Sequence, residues 1–90
     1  QMTEIKQAIK SKMEQAGIPH ESIAVFGAIR LNVHVKCVGF DSANKWAQLI
    51  SSALKGADVK VVKTTFEAKE NKGTNLLPTM KSGYLIAATY

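Results

Sequence analysis

Four polar side chains with chemistry to offer recur at every second position: Arg30, Asn32, His34 and Lys36. Apolar Leu31, Val33, Val35 and Cys37 fill the places between them. A period of two belongs to a β-strand with one face in the core and one in water. The wet row therefore presents a guanidinium, an amide, an imidazole and an ammonium side by side. Strand residues two apart stand roughly 6.5–7 Å from each other, a spacing that suits successive phosphates of a nucleic-acid strand. The cations would contact phosphate, and Asn32 would hydrogen-bond to sugar or base. Lys63 and Lys69, assigned to the wet side of a later strand, would widen the row into a basic panel. About five such phosphate contacts imply a log–log salt slope of about −4.

A second candidate lies in Asn71-Lys72-Gly73-Thr74-Asn75. Lys72, Gly73, Thr74 and Asn75 supply the ammonium, open backbone, hydroxyl and amide of an anion-binding nest. The spacing of a phosphate loop, Gly-x-x-x-x-Gly-Lys-Ser/Thr ahead of a helix, is absent. Nearby Leu76, Leu77, Pro78 and Met80 form an apolar knot. Its plainer role is to tuck the loop onto the domain, and its sharper one is to dock a partner.

Catalytic chemistry finds little support. His34 and Cys37 have opposite strand parity, so their side chains leave opposite faces and cannot form a nucleophile–base pair. His20 and Glu21 sit beside Pro19 in a turn, where surface positions are the simpler reading. The acidic residues are scattered, and one cysteine with two distant histidines does not make a zinc set. The expectation is a non-enzymatic protein with no metal and no cofactor. A dimeric active site is the one arrangement that a single chain would not reveal.

The elements that hold these residues belong to one domain, 1–90, since 90 residues leave no room for a second core. Apolar residues make up 46% and charged residues 21%, a globular composition. Net charge is +5, and residues 59–90 carry five lysines against two glutamates. Such a field favours polyanions or acidic protein surfaces. The lone Cys37, with no signal-like segment, points to a reducing, cytoplasmic setting. No apolar run reaches the roughly 20 residues of a membrane helix, so no membrane partner is expected. Gln1 ahead of Met2 reads as a remnant of processing or cloning, and the chain as a stand-alone small protein.

Helical spacing of Ile5, Ala8, Ile9, Met13 and Ala16 predicts a first helix capped by Thr3 and stopped by Gly17 and Pro19. Ser22–Phe26 reads as a strand. Gly27-Ala28 would be a tight turn into a strand over 29–38, or a bulge in one long strand. Asp41 or Ser42 caps a second helix whose stripe is Ala43, Trp46, Ala47, Ile50, Ala53 and Leu54, and Gly56 ends it. A third strand carries Val62, Thr64, Phe66 and Ala68 on one side. Val61, Lys63, Thr65, Glu67 and Lys69 are on the other, taken as the wet one. A long loop over 70–83 precedes a last strand, Tyr84–Tyr90. The fold class is therefore α+β: a two-layer sandwich in α-β-β-α-β-β order, a four-stranded antiparallel sheet with two helices on one face. The same order arises when the first strand of a β-α-β-β-α-β ferredoxin-like fold moves to the chain end.

Two functions follow from an uncovered sheet. The first is nucleic-acid binding, DNA included, through phosphates on the basic face; the wet parity of the second strand carries no aromatic, so a sequence-tolerant contact to duplex or backbone is expected rather than base stacking. The second is a protein interface: a homodimer, an adaptor, or an inhibitor of an acidic partner. There Val38 and Val61 would give an apolar patch, and Glu67 would face a partner lysine.

Overall fold

A computed structural model describes residues 2–67 and 80–90. Its elements are α1 (Met2–Glu14), β1 (Ser22–Phe26), β2 (Asn32–Cys37), α2 (Phe40–Ala53), β3 (Asp58–Glu67) and β4 (Met80–Thr89). This is the expected α+β sandwich. The strands lie in the order β1-β2-β4-β3, with every neighbouring pair antiparallel. The α2 crossover thus carries the chain from β2 to β3 past an intervening strand, β4. That is a split βαβ connection, as the permuted ferredoxin-like arrangement requires.

The alternation in β2 sets the core. Val33, Val35 and Cys37 have no exposed surface, and Leu31 just before the strand is also buried. Ile86 and Ala88 of β4, Ile23 of β1, Ala43, Trp46 and Ile50 of α2 and Met13 of α1 close around them. Trp46 is the largest buried side chain. Its indole Nε1–H donates to the Pro19 carbonyl at 2.9 Å, which satisfies the one polar atom it brings inside. His20 meets the same indole edge-on at 5.6 Å between ring centroids.

Several boundaries differ from expectation. The first helix already includes Thr3, so Thr3 is not its cap. The second starts at Phe40 with Gly39 as N-cap and no side-chain cap bond, which leaves Asp41 and Ser42 inside the first turn. Only Ile9 and Met13 of the α1 stripe reach the core, because α1 rests on β1, a short edge strand. Ile5, Ala8 and Ala16 stay exposed. The β1–β2 connection is longer than a tight turn and takes in residues 27–31. Gly27 holds φ +117°, and a β-carbon there would collide with the Arg30 carbonyl oxygen. Only glycine fits that bend without strain. The last strand begins at Met80 rather than Tyr84. It pairs with β3 without interruption from Asp58–Thr89 to Glu67–Met80, whereas β2 ends opposite Tyr84. Beyond that point β3 and β4 run on as a two-stranded ribbon. Among the described residues no helix is long and apolar enough to cross a membrane.

Candidate nucleic-acid interface

Residues directly opposite in an antiparallel pair share a face, so the register assigns every side chain to one layer. Val33, Val35 and Cys37 face the helices, and with them go Ala88, Ile86 and Tyr84 of β4, then Val59, Val61 and Lys63 of β3. The other face, which no described element covers, forms three rows across four strands. These are Ser22–Lys36–Leu85–Val62, Ala24–His34–Ala87–Lys60 and Phe26–Asn32–Thr89–Asp58. On the ribbon, Gly83 opposite Thr64 and Lys81 opposite Phe66 continue that face.

The column Asn32, His34 and Lys36 stands together as the alternation requires. Lys36 is exposed, and Asn32 and His34 are half-buried. Arg30 is not on the strand. It lies exposed in the connecting turn, and its backbone carbonyl accepts a hydrogen bond from Asn32 Nδ2 at 3.2 Å. Asn32 Oδ1 accepts from the Thr89 hydroxyl at 3.2 Å. The amide expected to read sugar or base thus anchors the turn and the last strand, with one N–H still to offer.

Lys63 departs from expectation. It pairs with Tyr84, which pairs with Cys37, so it stands on the helix side of the sheet. Val61 goes with it, and the expected apolar patch of Val38 and Val61 on the open face does not form there. The physical reason is the Val61-Val62 step, which gives β3 apolar residues of both parities and leaves its face undetermined by alternation. Lys60 takes the place assigned to Lys63, in one row with His34. Its ammonium lies 3.9 Å from Asp58 Oδ2, with both side chains largely in solvent, a contact of little energetic weight. Lys69 and the candidate nest of Lys72, Gly73, Thr74 and Asn75 lie outside the described residues, as do Leu76, Leu77 and Pro78.

The open face also carries rings that the reading of β2 alone did not reveal. Phe26 meets His34 at 5.0 Å between centroids and 87° between planes, an edge-to-face pair. Phe26 is 43% exposed. Phe66 rests over Gly83, where a β-carbon would come within 2.6 Å of its Cε1 and of the Cys37 carbonyl oxygen. A signal for Phe26 was present: Ile23 and Val25 point inward, so Phe26 has the outward parity of Ala24.

His34 and Cys37 leave opposite faces. Burial pushes the Cys37 thiol above its ordinary pKa, because the thiolate would lose its hydration. Among the described residues no three of His, Cys, Asp or Glu cluster to hold a metal ion. The fold and this face define a small two-layer α+β domain with an uncovered antiparallel sheet. No family model, curated protein or solved structure matched the chain.

Proposed function

We propose that the protein binds single-stranded nucleic acid on the open face of its sheet. The observation that carries this reading is the Phe26–His34 ring pair standing beside Lys36 on an uncovered surface. Aromatic side chains on a sheet stack bases, and neighbouring cations hold the backbone. Four strands at about 4.8 Å spacing make a surface roughly 15–20 Å wide, which does not enter a B-DNA major groove of about 12 Å. Single strands, whose bases can splay onto a flat platform, fit better than duplex. Lys36 and Lys60 lie two strands and two residues apart, or about 12 Å between backbone positions, so they would hold phosphates that are not adjacent. A buried free thiol goes with a reducing compartment, and a cytoplasmic location belongs to the same proposal.

The test is fluorescence anisotropy with a labelled oligothymidylate, its ribose counterpart and a duplex of equal length, at low salt. Single strands are expected to bind at least tenfold more tightly than duplex. Absence of binding at low salt, or equal binding to duplex, would count against the proposal. A second reading rests on Val62, 48% exposed on the same face as Phe26. Apolar surface there also suits a protein partner, as in an adaptor or inhibitor. Binding of that kind would be insensitive to salt.

A further inference from the structure

The strand β3 forms one edge of the described sheet and is as long as any other described strand. Natural proteins blunt such an edge with a bulge, a proline, a short strand or charged side chains, lysine above all, and β3 carries Lys60 and Lys63 on either side of Val61-Val62. Here the ladder to β4 is unbroken from Asp58 to Glu67, and no proline interrupts it. Val61 is 40% exposed on one face and Val62 48% exposed on the other. A polar row of backbone N–H and C=O groups therefore runs along an edge whose centre is apolar on both sides.

We infer that β3 pairs antiparallel with β3 of a second copy of this chain, about a two-fold axis through Val62, to join the two sheets. The register follows from three constraints. Opposite residues share a face, so an axis that aligns open face with open face must pass through a residue rather than between residues. An axis through Lys60 or Lys63 sets each lysine against its own copy, which is unfavourable. Of the remaining positions, Val62 gives the longest overlap, over 58–66. It sets Val62 against Val62, Val61 against Lys63, Lys60 against Thr64, Val59 against Thr65 and Asp58 against Phe66. No like charges stand directly opposed, and a β-branched pair occupies the axis, a favourable cross-strand combination.

The joined strip is about 30 Å long by about 10 Å deep, or roughly 300 Å² per chain. That is well short of the ~800 Å² per partner of a standard interface, so the association is weak and depends on concentration. Its consequence is an eight-stranded sheet with both open faces on one side. The inference does not depend on the nucleic-acid reading, and its assay contains no nucleic acid.

Sedimentation velocity between about 1 μM and 1 mM is expected to show a monomer converting to a dimer. Mild oxidation of Val62→Cys should give a covalent dimer, since identical positions on the axis bring their β-carbons within disulfide reach. Asp58→Cys should form no covalent dimer, because the two copies of residue 58 would be about 27 Å apart. Val62→Lys, at an exposed site with an unchanged melting profile as the folding control, should weaken the dimer at least tenfold. A monomer at every concentration would overturn the inference. So would cross-linking of Asp58→Cys as readily as Val62→Cys, or an undiminished dimer in Val62→Lys.

Discussion

Stacking and phosphate contact respond differently to salt, and this separates the roles of Phe26 and Lys36. Three cations stand on the open face within the described residues: Lys36 on β2, Lys60 on β3 and Lys81 on β4. On a single strand each neutralised phosphate contributes about −0.7 to the slope of log affinity against log salt. If the proposed reading holds, the wild-type slope should be about −2, shallower than the −4 or so expected for five contacts on duplex. Going from 50 to 200 mM salt should weaken binding roughly 20-fold. Replacing Lys36 by Gln removes one contact and should bring the slope to about −1.4. Phe26→Leu keeps an apolar side chain on β1 but removes the ring that meets His34. Loss of one stacked base costs about 1–3 kcal/mol, or roughly 5- to 150-fold in affinity at every salt concentration. Phe26→Leu should thus lower the whole line without tilting it, whereas Lys36→Gln should tilt it. Anisotropy titrations at four salt concentrations read both quantities. A parallel drop for Lys36→Gln, or unchanged affinity for Phe26→Leu, would refute the assignment of roles.

Other outcomes follow from the core and the ribbon. Trp46→Phe leaves the Pro19 carbonyl without the indole N–H that now reaches it at 2.9 Å, and should cost about 1–3 kcal/mol. In a domain of this size each kcal/mol lowers Tm by about 4–8 °C, so calorimetry reads it directly. Gly83→Ala drives a methyl against the Cys37 carbonyl and the Phe66 ring, and should cost about 1–3 kcal/mol by overpacking in a urea titration. Cys37 titrates above its ordinary 9.0 when folded. Its contribution to stability is intact below that value and is lost as pH climbs above it, because the unfolded chain releases the proton first. Chemical denaturation at pH 8 and pH 10 should show a decline that is absent in Cys37→Ala.

Much of this architecture was legible because β2 is buried on one side only. Strict alternation from Leu31 to Cys37 fixed both its faces, and the register then carried that assignment across β1 and β4. The α2 stripe was equally readable, with Ala43, Trp46 and Ile50 all buried. What escaped has identifiable causes. Arg30 fits the alternation but falls in the turn forced by Gly27, since ladder pairing stops at Asn32. The helix starts were displaced because side-chain caps are favourable but dispensable: α2 begins behind Gly39 with none. Phe26 is a surface ring at 43% exposure, against the usual burial of large aromatics.

The misplacement of Lys63 has a deeper origin, which bears on how the sheet is used. A strand with one covered face declares itself through alternation. On β3, Val59 and Val61 point to the helix side while Val62 and Phe66 point to the open side. Apolar residues on both faces are the pattern of an enclosed strand, yet among the described residues β4 is the one strand paired with β3 and no element covers its open face. Either the excess apolar surface is incidental, or a further strand completes the enclosure. Lys60 and Lys63 flank the Val61-Val62 centre in sequence. That placement opposes registers that superimpose the lysines and leaves the Val62 axis open. In the proposed dimer, Val61 and Val62 would be the residues that select the partner register. Hydrogen exchange gives the check: amides of β3 that point away from β4 should become protected as protein concentration rises, while those at the β1 edge should not. Equal behaviour of the two edges would leave the apolar centre of β3 incidental.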